Sequence, residues 1–137
     1  MDKITKIELS QNNRIKRHEN YAQLDAIESV IRERIRSEYT EEIKQLRNEN
    51  DKSFEEEKEF ILSVKQFLPG LSPSDKLKVT TQVGRNSDII RTYTGHIEKR
   101  IPFNQSYFNF VSPDYIDGKP FTIGLSCLQS IEILTEE

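Results

Sequence analysis

The sequence predicts an α+β protein in which a long amphipathic N-terminal helix precedes a small five-stranded β-barrel. Residues 20–68 contain neither Pro nor Gly, and their apolar residues recur at the spacing of one helix face. Residues 76–137 instead alternate apolar and polar residues in short runs, which is typical of strands buried on one side. Residues 69–75 separate the two parts and contain two prolines and a glycine, the strongest interruptions of regular structure.

An apolar stripe follows one face of the predicted helix. Between Leu24 and Leu46 the apolar residues recur every three or four positions, and charged residues occupy the opposite face. A stripe of this length must be covered by another surface, and the predicted barrel is too small to cover it. We therefore expect a homo-oligomer that associates through its helices. The expected seam consists of Leu24, Ile27, Ile31, Ile35, Ile43 and Leu46.

A polar interruption at residues 48–52 separates this stripe from a second apolar run that ends at Leu68. If the interruption is a turn, the segment is a helical hairpin, and Ser53 with Glu56 forms a capping-box pattern that can begin a second helix. If it is not, the helix is continuous or gently bent and roughly 70 Å long at about 1.5 Å per residue. The absence of Gly and Pro from the interruption favours the continuous helix.

The first 19 residues are expected to form a solvated, partly disordered N-terminal arm. Ile4, Ile7 and Leu9 are compatible with a short helix or a short strand, and residues 14–18 form a basic cluster. This cluster is either solvated or contacts phosphate groups. The arm lacks the apolar segment of a secretory signal.

Composition restricts the class of protein. The 137-residue chain has 31% charged and 34% hydrophobic residues, which fits an elongated helix with much exposed surface. Its net charge of −3 argues against a dedicated nucleic-acid binder. The single Cys127 excludes a disulfide framework, and no apolar run reaches the roughly 18 residues of a membrane-spanning helix. We expect a cytoplasmic protein without membrane association.

Five short strands are predicted after the boundary, at residues 77–83, 89–101, 106–111, 121–125 and 131–133. Gly95 is expected to bend the second strand, and Asp117-Gly118 is a hairpin-turn signal. A sheet of this size is stabilised by closing on itself, because closure removes unpaired edges.

The β segment resembles the SH3-like and Sm-like small barrels. The similarity rests on Thr94-Gly95-His96-Ile97 in a bent strand, on the Asp117-Gly118 turn, and on an ending of the form apolar-x-apolar-Ser-x-Leu-x-x-Ile-Glu at residues 123–132. It covers residues 76–134 and does not include the helix. The resemblance implies a small barrel, and a Sm-like member of this class would bind nucleic acid.

No catalytic or metal-binding pattern stands out in the sequence. His18 and His96 lie in different parts of the chain, so neither forms an evident nucleophile–base pair or a metal-ligand cluster. The glycines are dispersed, so no phosphate-binding loop is formed. We expect a non-enzymatic protein without a metal or cofactor, in which Cys127 is a structural thiol.

The loop at residues 98–106 is the candidate binding surface, because basic and polar groups lie beside aromatic ones. The favoured interpretation is a scaffold or inhibitor that presents this loop, or its sheet edges, to a protein target; small acidic proteins of this build also occur among phage structural and inhibitory proteins. The alternative is a nucleic-acid-binding Sm-like protein. A third possibility is an enzyme of unrecognised type, which would require polar groups from several chains to converge at an interface. For the loop itself, the structural interpretation, in which Phe103 fills the end of the barrel and the rest is solvated, is favoured over binding. The candidate residues are Lys99, Arg100, Phe103, Asn104, Gln105 and Tyr107.

Overall fold

The computed structural model describes residues 4–31, 36–113 and 115–134 and has an α+β architecture. Two long helices precede most of a six-stranded antiparallel sheet. The helices are α1 (Gln11–Ile31) and α2 (Thr40–Phe67), and short 3-10 turns lie at Arg36–Tyr39, Leu68–Gly70 and Ile116–Gly118. The strands are β1 (Lys6–Glu8), β2 (Leu77–Val83), β3 (Ile89–Ile97), β4 (Tyr107–Val111), β5 (Phe121–Gly124) and β6 (Leu128–Ile133).

The two helices pack against each other as an antiparallel hairpin. Asn13 near the start of α1 contacts Ser53 in α2, whereas Asn20, two turns further along α1, contacts Asn50. The contact partner moves back along α2 as α1 advances, so the helices run in opposite directions. The favoured prediction of one continuous helix is therefore wrong. The chain forms a helical hairpin, as the alternative predicted.

The chain reverses at a different place from the one that the hairpin alternative predicted. Residues 48–52 lie inside α2, and the reversal falls between Ile31 and Thr40. The polar interruption stays helical because Asn50 faces a polar partner on α1: the Asn20 side-chain amide donates to Asn50 Oδ1 at 3.0 Å. Residues 4–19, expected to form a solvated arm, contain β1 and the first turns of α1.

The sheet has the strand order β1-β6-β2-β3-β4-β5 and is not closed. Its edges are β1 and β5, which do not pair with each other in the described residues. The expected closed barrel of five strands is therefore not what the structure has. The sixth strand is β1, where Ile7 pairs with Ile131 of β6.

Gly95 is the point at which β3 changes neighbours. It pairs with Leu77 of β2, whereas the next residue, His96, pairs with Val111 of β4. A Cβ atom on Gly95 would lie 1.9 Å from the carbonyl oxygen of Val111, so a side chain here would collide with the β4 backbone. The glycine that the sequence predicts to bend this strand is thus required by the close approach of β4.

The main hydrophobic core lies between the C-terminal part of α2 and the sheet. Val64, Leu68 and Leu71 are almost completely buried and pack with the buried strand residues Leu77 and Val79. Burying each such side chain stabilises the fold by roughly 1.5–3 kcal/mol. The core therefore fixes the hairpin on the sheet and sets the position of the loops around it.

Candidate functional site

The predicted oligomer seam is covered within a single chain. Ile27, Ile43 and Leu46 are buried against one another between α1 and α2, and Leu24 and Ile31 pack on this cluster. The sixth seam residue, Ile35, lies outside the described residues. Because the hairpin covers its own stripe, burial no longer requires a second copy at this surface.

A buried ionic network, which the sequence did not predict, joins the hairpin to the sheet. Its centre is Arg14 of α1, which is only 2% exposed and is ion-paired through Nε with Glu57 of α2. The same guanidinium donates to Gln82 Oε1 on β2 at 3.3 Å. It also donates to the main-chain oxygens of Leu128 at 2.6 Å and Leu125 at 3.2 Å. One side chain therefore connects both helices to the segment that leads into β6.

Arg17, one turn further along α1, completes the network. Its guanidinium donates to Glu57 Oε1 at 2.7 Å and to Ser53 Oγ at 3.1 Å. It also lies over the ring of Phe54, with Cζ 4.1 Å from the ring centroid. The Ser53 hydroxyl in turn donates to the main-chain oxygen of Asn13 at 3.0 Å. Both oxygens of a single carboxylate thus bind two arginines.

Two opposing effects set the ionisation of Glu57. Burial raises the pKa of its carboxyl, but the hydrogen bonds and charges of Arg14 and Arg17 outweigh burial and hold the pKa below its usual value. The carboxylate is therefore ionised at neutral pH and opposes the two buried guanidinium charges. The network has a structural role, because the side chains of Arg14, Arg17 and Glu57 all bind other residues of the same chain.

The loop between β3 and β4 carries the predicted binding residues on the surface. Lys99, Arg100 and Asn104 are exposed, and Gln105 is half-buried. Phe103 is 73% exposed, so it does not fill the end of the sheet. The structure therefore excludes the interpretation in which this ring is part of the core.

Both ends of this loop are fixed to the sheet. Glu98 N donates to Asn109 O at 3.0 Å, and Leu125 N donates to Ser106 O at 3.0 Å. Ile101 is 7% exposed and anchors the loop in the core. Tyr107, 48% exposed, begins β4 beside a hollow of about 180 Å³, which is also lined by Lys99, Arg100, Pro102 and Gln105.

The structure brings together one nucleophile and one base that are far apart in the sequence. Ser87 Oγ lies 3.4 Å from His18 Nε2, between the β2–β3 turn and α1. Within the described residues no carboxylate binds the other ring nitrogen of His18, so the pair lacks the orienting group of a catalytic triad. His96 binds the main-chain oxygen of Ile97. Among the described residues, no group of three or more His, Cys, Asp or Glu side chains could hold a metal ion.

Comparison with protein families, curated proteins and solved structures finds no match to this chain. No helix in the described parts of the chain is long and apolar enough to cross a membrane.

Proposed function

We propose that this protein is a non-enzymatic binding protein that presents the β3–β4 loop to a protein target. The observation that carries the proposal is the 73% exposure of Phe103, in a loop that also carries the exposed Arg100 and ends at the exposed Tyr107. Transferring a Phe side chain from water into an apolar site is favourable by roughly 1.5–3 kcal/mol, and a partner would supply that site. Aromatic and arginine side chains are also the residues that contribute most to binding energy in protein interfaces.

The rest of the fold supports this proposal because it holds the loop in place. Arg14 donates to the main-chain oxygen of Leu125, and the main-chain nitrogen of Leu125 donates to Ser106 at the end of the loop. Leu125 thus links the buried ionic network to the loop through hydrogen bonds of its main-chain oxygen and nitrogen. A loop fixed in this way loses little conformational entropy when it binds.

We further propose that residues 76–134 are a small-barrel domain of the SH3-like or Sm-like kind, in an open form. The support, besides the sequence motifs, is that β3 serves both halves of the sheet and changes partner after Gly95. This is the arrangement expected when one bent strand continues from one half of a small barrel into the other.

Site-specific photo-crosslinking tests the binding proposal. A photoreactive phenylalanine analogue is placed at position 103 of the full chain, or as a control at Tyr21, which is 41% exposed on α1. In extract of the source cells, we expect one protein to crosslink to position 103 and not to position 21. Excess parent protein should abolish the crosslink, and excess of a Phe103→Ala, Tyr107→Ala variant should not. Equal competition by both would contradict the proposal.

The second candidate function is binding of single-stranded nucleic acid, and the adjacent exposed cations Lys99 and Arg100 favour it. Fluorescence anisotropy with a labelled oligonucleotide at several salt concentrations separates the two functions. If nucleic acid is the ligand, Lys99→Ala, Arg100→Ala should reduce the salt dependence by about one unit of slope per lost phosphate contact. The matched control is Lys78→Ala, Arg91→Ala, which removes two exposed cations from the sheet.

A further inference from the structure

One side of β1 has no backbone partner among the described residues. Ile133 N donates to Thr5 O at 2.7 Å, and Leu9 N donates to Gln129 O at 2.9 Å. The peptide groups of alternate residues 5, 7 and 9 therefore point towards β6. Because successive residues of a strand point their peptide groups to opposite sides, those of Lys6 and Glu8 point away from the sheet.

An apolar groove of about 590 Å³ opens beside this unpaired edge. It is lined by Ile7 of β1, by Phe67 at the end of α2 and by Leu71 just after the 3-10 turn that follows this helix. Ile4, just before β1, also lines the groove and is 64% exposed. An open strand edge and an apolar groove at one place are the two parts of a surface to which another strand can add.

We propose that β1 pairs with β1 of a second copy of this chain, antiparallel about a two-fold axis through Ile7. The sheet then continues across both copies. Lys6 of each copy lies opposite Glu8 of the other, and the two residues exchange both main-chain hydrogen bonds. The two Ile7 side chains lie next to each other beside the groove of each copy.

The charges of Lys6 and Glu8 favour this register and favour a second copy of the chain as the binding partner. Three antiparallel registers about a two-fold axis use the outward peptide groups of Lys6 and Glu8. One sets Lys6 against Lys6, another sets Glu8 against Glu8, and only the third sets opposite charges against each other. Within one copy, Lys6 Nζ already lies 2.9 Å from Glu8 Oε2. Four side chains of alternating charge would therefore meet on one face of the extended sheet, an arrangement that is complementary to itself.

A lysine on an edge strand commonly prevents pairing. Here Glu8 lies two residues away on the same face. The charged pair therefore disfavours the registers that set like charges opposite each other, and it does not prevent the register that sets Lys6 opposite Glu8. The strand is three residues long. We therefore expect a dimer that forms at high micromolar concentration rather than an obligate one.

Sedimentation velocity of the full chain over a wide concentration range tests the association. Lys6→Glu and Glu8→Lys each place like charges opposite each other twice in the dimer, and each should weaken association about tenfold or more. The double exchange Lys6→Glu, Glu8→Lys should restore most of the association. Lys119→Glu makes the same change of net charge as Lys6→Glu at an exposed residue outside β1 and should have no effect. Circular dichroism shows whether each variant is folded.

Disulfide formation tests the register directly. In the proposed dimer, Ile7→Cys in a Cys127→Ser background places the two introduced cysteines, one from each copy, opposite each other. Their Cα atoms lie about 4.5 Å apart, a distance that a disulfide spans. Thr5→Cys is the control, because its counterpart would lie four residues away, roughly 13 Å at about 3.3 Å per residue. We expect a covalent dimer from Ile7→Cys only. A parent protein that is monomeric at all concentrations, association unchanged by the single charge reversals, or equal crosslinking of both cysteines would overturn the proposal.

Discussion

Removing the charge of Glu57 should destabilise the protein more than any other substitution of a single carboxylate on α2. Glu57→Gln keeps the size of the side chain but leaves Arg14, 2% exposed, and Arg17, 7% exposed, without their common counter-ion. Breaking a buried ion pair by removing one partner costs about 3–5 kcal/mol, because the remaining charge is buried and uncompensated. Domains of this size are stable by about 5–15 kcal/mol, so the loss is a large part of the total.

Urea unfolding at pH 7 gives the free energy of unfolding of both proteins. Glu59→Gln is the control, because Glu59 is an exposed carboxylate two residues away on the same helix. We expect that variant to lie within about 0.5 kcal/mol of the parent. If Glu57→Gln is also within about 1 kcal/mol of the parent, the network does not hold the hairpin on the sheet and the argument from the buried arginines is refuted.

The pH dependence of the same difference gives a second measurement. The folded protein holds the pKa of Glu57 below the ordinary value of 4.5. A carboxyl whose pKa is lowered on folding contributes stability that is fully present above its unfolded pKa and is lost as the pH falls through its folded pKa. The difference between the parent and Glu57→Gln should therefore be constant above about pH 5 and decrease below about pH 4.5. A difference that does not change with pH would contradict the assignment.

Three other substitutions test the fold and the loop. Gly95→Ala puts a methyl group onto the Val111 carbonyl and should destabilise the protein by about 3 kcal/mol or more, whereas Gly70→Ala, with nothing within 4 Å, should be neutral in thermal unfolding. Leu46→Ala should cost about 2–5 kcal/mol in urea unfolding at a protein concentration where the parent is monomeric. A dependence of that loss on protein concentration would show that the seam is intermolecular. Phe103→Ala should change stability by less than about 0.5 kcal/mol and yet, added in excess as a competitor, should fail to abolish the crosslink from position 103.

The apolar pattern predicted that the N-terminal half is helical, but it could not place the turn. In α2 the inward positions continue at steps of three and four through Ile43, Leu46, Asn50, Ser53 and Glu57. The last three are polar, so a count of apolar residues alone breaks the stripe at the wrong place. Their partners lie on α1, and only the folded chain shows that polar residues meet polar residues across the hairpin.

The same cause explains the error at the N-terminus. Arg17 and Asn20 continue the stripe of α1 backward from Leu24, but positive charge in a short N-terminal segment is more often a sign of a solvated arm. The repeat of three and four residues was a usable signal. The partners of Arg14 could not be inferred, because the two carbonyl oxygens that it binds lie more than a hundred residues away in the sequence.

The β segment was easier to predict where local rules apply. The existence of β2 and the requirement for glycine at position 95 follow from strand geometry. The expected alternation of β2 is wrong at Thr80 and Gln82, because both are buried and Gln82 accepts a hydrogen bond from Arg14. The exposed loop residues follow from polarity and a proline at position 102. Strand β1 is only three residues long, so its alternation was too short to distinguish from that of a helix. Closure of the sheet depends on strand order and bending, and the sequence pattern does not determine either one.

The position of Arg14 has a consequence for synthesis on the ribosome. The main-chain oxygens of Leu125 and Leu128 are synthesised 111 and 114 residues after its guanidinium. At about 5–20 residues per second, this delay is roughly 6–23 seconds. During that time the helices can form their apolar contact and Arg14 can pair with Glu57, but the two main-chain oxygens that it binds are still absent. The sheet can therefore be completed only after β6 has been synthesised, because β6 pairs with both β1 and β2.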